Sequence, residues 1–159
     1  MIIRPANLEK DALAIMDGAH DFANRTFIKH VLPLPKNEEE LIKVVSLIMS
    51  LEGMEVLVAE DKDRIIGGIG VLYAPCPWNP AIIVADQIFI WCARNAPFRT
   101  ERRLTEEAMK NVTDRGALPM FRRIIKKPHN VSPISRFYRS FNMIPIMTVY
   151  TWTQPQQPS

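Results

Sequence analysis

The chain has 159 residues, of which 47% are hydrophobic and 23% charged, a composition typical of one folded domain that excludes a wholly disordered or fibrous protein. Its 6 glycines do not have the spacing of a P-loop or of a dinucleotide-binding fingerprint. The net charge of +3 is unevenly spread, since segment 94–139 holds 12 Lys and Arg against 4 Asp and Glu, whereas the rest holds 8 against 13.

The basic segment 94–139 indicates a polyanionic ligand or partner, such as a phosphorylated cofactor, a nucleic acid or an acidic protein surface. A solvated positive face without a partner is the alternative interpretation.

The cysteines and the N-terminus bear on the cellular compartment. Cys76 and Cys92 form no CxxC pair and have no metal-ligand spacing with His20, His30 or His129, so we expect neither a disulfide framework nor a metal site. Charged residues interrupt any apolar leader within the first eleven positions, and no later run has membrane-spanning length. We therefore expect a soluble protein of the cytoplasm that does not bind a membrane.

The first third of the chain predicts a strand and two helices. A short strand at 2–5 precedes a helix capped by Asn7, whose apolar residues recur at helical spacing as far as Phe22. Segment 24–36 is predicted as a loop. Asn37 and Glu40 form a capping-box pattern that starts a second helix, which ends near residue 50.

The middle of the chain predicts an antiparallel hairpin. Residues 56–60 and 65–73 are rich in strand formers and flank a polar four-residue turn at 61–64. Three glycines at 67, 68 and 70 indicate a bulge or a close backbone approach. Residues 74–80, with Trp78 among prolines, are predicted as a stiff loop that either forms a wall of a substrate pocket or only connects two strands.

The rest predicts a buried strand and alternating elements. Residues 81–92 are almost continuously apolar, as in a central strand covered on both faces, and Asp86 within it needs a partner. Thr100 is predicted to cap a helix that stops at Gly116. A strand at 118–127, a helix from Ser132 to about Asn142 and a strand at 144–152 complete a single domain at 1–153, followed by a polar tail at 154–159.

This order and several local motifs resemble the GNAT superfamily of acyl-CoA-dependent N-acetyltransferases over residues 1–152. The motifs are the opening MIIRPA at 1–6, a surface turn followed by an Ile-Gly pair at 58–68, and an aromatic-Tyr helix end at 137–143 with Asn142 in the glycine slot. The resemblance implies an α/β fold with a mixed central sheet of about six strands flanked by about four helices.

The resemblance also implies that acetyl-CoA lies in a gap between the strand ending near Cys92 and the strand starting at Leu118, without a metal. The pantetheine arm would pair with the backbone of the first strand, and the pyrophosphate would lie at the following loop and helix N-terminus. The residues that this assigns to cofactor binding are Ile90, Trp91, Cys92, Arg94, Arg99, Thr100, Arg102, Arg103 and, on the next strand, Asn130.

The cofactor loop departs from the family pattern because it contains no glycine. Either Arg99, Arg102 and Arg103 hold the pyrophosphate by side chains, or the site has decayed and the fold serves assembly or binding. Glycine-poor chains of this type resemble GNAT-like proteins of tailed bacteriophages, some of which belong to the virion. The protein-assembly partner would then face the basic segment 94–139.

Catalysis would need an acid, for which the resemblance implies Tyr138, and a base, for which Asp86 is the candidate. The alternatives are that Tyr138 is a core aromatic and that Asp86 pairs with an arginine. Gln87 points to the other face and would only position a water, and His129 would shuttle a proton or lie at the surface. The acceptor would be an amine on a small molecule or a protein.

Nucleic acid is a weaker candidate for the partner of the basic segment. Paired basic residues at 122–123 and 126–127 lie near Phe121 and Phe137, a combination that suits nucleic acid. No recognised nucleic-acid-binding module accompanies them, so we do not expect this partner.

Overall fold

The computed structural model describes residues 1–25, 37–121 and 136–142 of the chain. The elements in chain order are β1 (Ile2–Pro5), α1 (Leu8–Arg25), α2 (Glu38–Ser50), β2 (Met54–Asp61), β3 (Arg64–Cys76), β4 (Asn79–Cys92), α3 (Thr100–Asp114) and β5 (Leu118–Met120). Residues 136–139 form a further short helix.

The strands form one mixed sheet in the order β1-β2-β3-β4-β5. The first three pairs are antiparallel, and β5 runs parallel to β4 because α3 crosses over between them. The predicted α/β class and mixed sheet are confirmed, with five strands and four helices in the described part of the chain. The strand predicted at 144–152 and most of the one predicted at 118–127 lie outside it.

The sheet is covered on both faces. Val56 and Val58 of β2 pack in a cluster with α1 and α2, whereas Leu57 and Ala59, which alternate with them, pack in a cluster with α3. The buried helical residues are Ile15, Met16 and Val45 on the first face and Leu104, Ala108 and Val112 on the second.

Two predicted helix caps are confirmed and a third is wrong. Asn7 Oδ1 accepts from the Lys10 N–H at 3.1 Å, and Asn37 Oδ1 accepts from the Glu40 N–H at 2.9 Å. Thr100, by contrast, is the first helical residue of α3, and Arg99 holds the cap position. Two residues of the predicted loop at 24–36 are helical, because α1 continues to Arg25, and residues 26–36 lie outside the described ranges.

The β2–β3 turn is tighter than the predicted four-residue turn. Asp61 and Arg64 pair across the hairpin, so only Lys62 and Asp63 form the turn, with φ angles of 50° and 61°. Two successive left-handed residues give the turn whose twist matches that of the flanking strands.

The segment predicted as a stiff loop at 74–80 is the end of a long hairpin. β3 extends to Cys76 and β4 begins at Asn79, so the turn is short, and Trp78 within it is 83% exposed. Proline is tolerated there because an edge position needs no ladder N–H. Residues 79–83 of β4 are exposed, and so is Ile88, so the predicted burial on both faces holds only for part of the strand after Val84.

The glycines of β3 allow the aromatic rings of β4 to lie flat on the sheet. A Cβ at Gly70 would meet the ring of Phe89, and a Cβ at Gly68 would lie 3.0 Å from Trp91 Nε1. On the other side of the same indole, a Cβ at Gly18 of α1 would overlap the six-membered ring. The predicted close approach at the β3 glycines is confirmed.

The C-terminal end of α3 is anchored to the sheet through Glu55. Its carboxylate accepts from Asn111 Nδ2 at 2.9 Å, from Arg115 at 3.2 Å and from the Tyr73 hydroxyl at 2.9 Å. Burial and the neighbouring carboxylate raise the pKa of Tyr73. The predicted stop at Gly116 is confirmed, with φ of +64° just after the helix.

Candidate functional site

The described part of the parallel strand β5 pairs with β4 over three residues. Val84, Ala85 and Asp86 pair with residues 118–120, whereas β4 continues to Cys92. Phe121 is the last described residue after β5, so the gap expected between the two strands lies outside the described ranges.

A β-bulge interrupts β4 near its pairing with β5. Gly70 of β3 pairs with Phe89 and Val71 pairs with Gln87, so Ile88 is the additional residue on β4. Bulges bend a strand and increase its twist. The bend therefore falls two residues after Asp86, whose pair with Met120 is the last one in the described ranges.

The three β4 residues predicted to bind cofactor can offer only their backbone. Ile90 and Trp91 are 8% and 3% exposed, and Cys92 packs against the α3 cluster. Trp91 Nε1 is buried and has no hydrogen-bond partner within the described residues. These positions agree with the expectation of backbone pairing with a pantetheine arm.

The predicted acid reaches β4 from the short helix at 136–139. The Tyr138 hydroxyl lies 3.3 Å from Oε1 of Gln87, which is 2% exposed. Phe137 stands edge-on to the Tyr138 ring, with ring centres 5.3 Å apart. Asn142 has φ of +60°, as expected for a residue in the glycine slot at the helix end.

The predicted base does not meet the predicted acid. Ala85 packs in the α3 cluster and Gln87 lies opposite Val71 of the same cluster, so Asp86 between them points to the α1 and α2 face. Tyr138 therefore contacts Gln87, and Asp86 borders the strand gap from the other face, where it is half-buried. The contact of Gln87 with Tyr138 has no local sequence signal, because 51 residues separate the two.

The basic side chains predicted to hold pyrophosphate are unequally placed at the start of α3. Arg94 and Arg99 are exposed. Arg102 pairs with Glu106 at 2.8 Å, and its guanidinium lies 5.4 Å from the centre of the Phe141 ring. These contacts tie the segment 136–142 to α3.

The other two predicted ligands at this end contact Met1. Arg103 donates to the carbonyl of Met1 at 3.2 Å. The side chain of Thr100 is 1% exposed and its hydroxyl donates to the Met1 sulfur. Its backbone N–H donates to the carbonyl of Pro97 at 2.9 Å, so Thr100 offers a ligand neither of these donors.

The start of α3 has the properties of an anion site. The side chain of Arg99 makes no capping hydrogen bond, so the first N–H groups of the helix are not consumed by it. The exposed side chains of Arg94 and Arg99 adjoin this helix end. The helix start and these two arginines therefore fit a pyrophosphate group by charge, without a glycine.

Several predicted residues lie outside the described ranges. They are Asn130, His129, the basic pairs at 122–123 and 126–127, Ser132 at the predicted helix start and the tail at 154–159.

A groove of about 630 Å³ adjoins the β2–β3 turn on the α1 face. At its base, Arg4 donates to both oxygens of Asp11 at 2.7 and 2.9 Å and to Glu60 at 2.6 Å. The Arg4 hydrogen bonds hold the pKa of Asp11 below its ordinary value. This ion cluster links β1, α1 and β2, and sequence analysis did not find it.

The described residues contain neither a candidate metal site nor a helix able to span a membrane. No group of three or more His, Cys, Asp or Glu side chains in these ranges could hold a metal ion. Among the helices that they contain, none combines the length and apolarity needed to cross a bilayer.

Comparisons with known proteins rest on structure alone, since no family model and no curated protein matches the sequence. A transcriptional regulator from Bacillus halodurans superposes with a TM-score of 0.74 at 17% identity, covering 96% of this chain and 99% of that one. A ribosomal-protein-alanine N-acetyltransferase from Brucella melitensis gives 0.73 at 12%, covering 98% of each chain.

A glucosamine-6-phosphate N-acetyltransferase from Arabidopsis thaliana gives a TM-score of 0.69 at 10% identity, covering 95% of this chain and 96% of that one. The superpositions extend over nearly the whole length of both chains. The chain has the α/β fold of the GNAT acyl-CoA N-acyltransferases.

Proposed function

We propose that the protein transfers the acetyl group of acetyl-CoA to an amine on a small molecule or a protein. The observation that carries the proposal is the approach of Tyr138 to β4 at Gln87, next to the residues of β4 that pair with β5. A phenol at this place lies next to the strand edge that would bind the pantetheine arm. N-acetyltransferases are also among the chains that share this fold.

The two proton transfers would take place on opposite faces of β4. Asp86 takes a proton from the attacking amine on the α1 and α2 face, and Tyr138 gives one to the departing thiolate on the α3 face. Acetyl transfer by direct attack needs both, because the amine must lose a proton and the thiolate must gain one.

Acetyl-CoA would be held along the edge of β4 and at the start of α3. The backbone of residues 90–92 pairs with the pantetheine arm, and Asn130 adds a side-chain bond. The N–H groups that follow Thr100 in the first turn of α3 and the side chains of Arg94 and Arg99 receive the pyrophosphate, with Arg102 and Arg103 adding positive charge behind them.

Calorimetry with acetyl-CoA tests the binding part of the proposal. We expect binding at sub-millimolar concentration, and Arg99→Ala should weaken it about tenfold because a charge-assisted contact to phosphate is lost. Arg64→Ala is the matched control, since this exposed arginine lies in the β2–β3 hairpin and should leave the affinity unchanged. Equal effects of the two substitutions would contradict the assigned pyrophosphate site.

Thiol release in the presence of a panel of amines tests the chemistry. Turnover that depends on both acetyl-CoA and one class of amine is the expected result. If acetyl-CoA binds but no polyamine, amino sugar, aminoglycoside or N-terminal peptide supports turnover, the enzyme proposal is contradicted.

The second candidate is a non-catalytic binding or structural protein of the same fold, such as a component of a phage particle. It is favoured by the loop at 94–104, where arginine stands in place of glycine and where Arg102 and Arg103 already have partners within the chain. The regulator from Bacillus halodurans illustrates that proteins described by another function share this fold. Absence of both acetyl-CoA binding and thiol release would favour this candidate.

A further inference from the structure

Gln87 is a polar residue in the interior of the sheet. Its side chain is 2% exposed, and it lies on the α3 face of β4, opposite Val71. Burial of a primary amide is costly unless its groups are hydrogen-bonded, so an apolar residue would be the simpler choice at a purely structural position. The amide instead contacts the Tyr138 hydroxyl.

The position of Gln87 on β4 is fixed more firmly than that of a residue on a loop. Pairing with Val71 holds its backbone on one edge, and the bulge at Ile88 follows it directly. Residue 86, just before it, pairs with Met120 of β5. The amide therefore lies next to the two parallel strands between which the proposed function places the thioester.

An amide at this place can serve a phenol before and after it loses a proton. The side chain of Gln carries one acceptor oxygen and two N–H donors, and rotation about the last bond exchanges them. The oxygen accepts from a phenol, and an N–H donates to a phenolate. The separation of 3.3 Å is long for such a bond, as is common before a substrate tightens the site.

The chemistry requires this help, because a phenol is a weaker acid than a thiol. Ordinary pKa values are about 10 for a phenol and about 8.5 for a thiol, so transfer of the proton to a thiolate is uphill. A hydrogen bond donated to the phenolate favours its charged form and reduces this difference.

We propose that Gln87 is the positioning residue for Tyr138, holding its hydroxyl at the strand gap and donating an N–H to the phenolate that forms. This inference rests on the proposed acetyl transfer. The amine nitrogen bonds to the acetyl carbon, the carbon–sulfur bond breaks with its electron pair on sulfur, and sulfur takes the proton of Tyr138. The phenolate then recovers a proton from water, and Asp86 takes the proton that the amine loses.

A double-mutant cycle between Gln87 and Tyr138 tests the inference. Gln87→Met, which keeps the shape of the side chain and removes its polar groups, should lower kcat about tenfold with KM for acetyl-CoA unchanged. In a Tyr138→Phe background the same substitution should have no further effect, because Gln87 acts through the phenol. An equal loss in both backgrounds would overturn the inference.

Two further variants separate positioning from folding. Gln87→Glu keeps an acceptor, loses the donor and adds a charge beside the phenolate, so it should be slower than Gln87→Met. Thr105→Val removes another buried hydroxyl, on α3, and should leave kcat unchanged. A kcat for Gln87→Glu equal to that of the unsubstituted protein would contradict the donor role.

A carbon-13 NMR measurement on labelled tyrosine reads the contact without turnover. The chain has 3 tyrosines, and Tyr138→Phe identifies the resonance of Tyr138. Gln87→Met should shift the Cζ resonance of Tyr138 and leave that of Tyr73, which is bonded to Glu55, in place. An unshifted Tyr138 in an enzyme that turns over refutes this inference alone, whereas absence of turnover in the unsubstituted protein refutes the proposed function and this inference with it.

Discussion

The indole of Trp91 determines how closely α1 approaches the sheet. Gly18 of α1 and Gly68 of β3 lie on its two sides, and neither has room for a Cβ atom. The missing side chains let a large ring fill the layer between helix and sheet. A single residue on β4 thus fixes a contact between elements that are far apart in the chain.

Gly18→Ala should destabilise the protein by about 1–2 kcal/mol. Alanine favours a helix by up to about 1 kcal/mol over glycine, but overlap with a packed ring costs about 1–3 kcal/mol. Urea unfolding of Gly18→Ala, Trp91→Phe and the double variant checks this. The smaller ring should relieve part of the overlap, so purely additive losses would contradict the account.

Individual residues were predictable from sequence where their partners are local. Asn7 and Asn37 bond N–H groups three residues ahead, so the capping pattern contains all the information. Arg4 binds Glu60, 56 residues away, and this pairing exists only because β1 lies beside β2. No local pattern contains that fact, and the same holds for Gln87 and Tyr138.

The β2–β3 hairpin shows how a turn constrains an element. Lys62 and Asp63 both have left-handed backbone angles. This conformation is less favourable for a residue with a side chain than for glycine. The strands on either side pair up to the turn, so the sheet register imposes these angles.

Replacing the turn by Lys62→Asn together with Asp63→Gly should stabilise the protein by about 1 kcal/mol, since Asn-Gly is the preferred pair for this turn type. Gly116→Ala, at φ of +64° with no neighbour within 4 Å, is the reverse experiment and should destabilise by a similar amount. Thermal unfolding measures both. The two experiments should change the free energy of unfolding in opposite directions. A loss of stability in the turn variant would contradict the assigned strain.

The long β3–β4 hairpin is an element whose end was predicted wrongly from local sequence preference. Prolines at 75, 77 and 80 favour a loop by their local preference. Pairing across two long strands overrides that preference, as the register of Pro75 with Ile83 shows. Strand order and helix positions were still predictable, because hydrophobic periodicity depends on burial rather than on turn chemistry.

At the scale of the molecule, the cluster of Arg4, Asp11 and Glu60 joins the first strand, the first helix and the second strand. Asp11 is 3% exposed and also accepts from the N–H of Asn7 at 2.7 Å, so it closes the start of α1 over the sheet. Its pKa in the folded protein is lower than the ordinary 3.8, chiefly because Arg4 donates to it.

The lowered pKa of Asp11 predicts a loss of stability in acid. The unfolded chain binds a proton at Asp11 at higher pH than the folded protein does, so this contribution is complete above the unfolded pKa and is lost as pH falls through the folded one. Asp11→Asn should lower the free energy of unfolding by about 2 kcal/mol at pH 7, and the difference should shrink below about pH 4.

Urea unfolding at several pH values measures this difference. Asp17→Asn, on the exposed side of the same helix, is the control and should change stability little at any pH. A constant difference between Asp11→Asn and the unsubstituted protein from pH 7 to pH 3 would contradict the assignment.

The enclosed indole of Trp91 also provides an optical reporter of the strand to which the ligand is proposed to bind. Its ring is shielded from water and its N–H has no hydrogen-bond partner in the described part of the chain, a setting that gives tryptophan a short emission wavelength. Trp78 is exposed and emits at longer wavelength. With phenylalanine at positions 78 and 152, the remaining emission comes from β4 itself. Binding of any molecule at that strand edge can then be followed as a change in the wavelength or intensity of this emission. The measurement needs no label and no knowledge of the reaction.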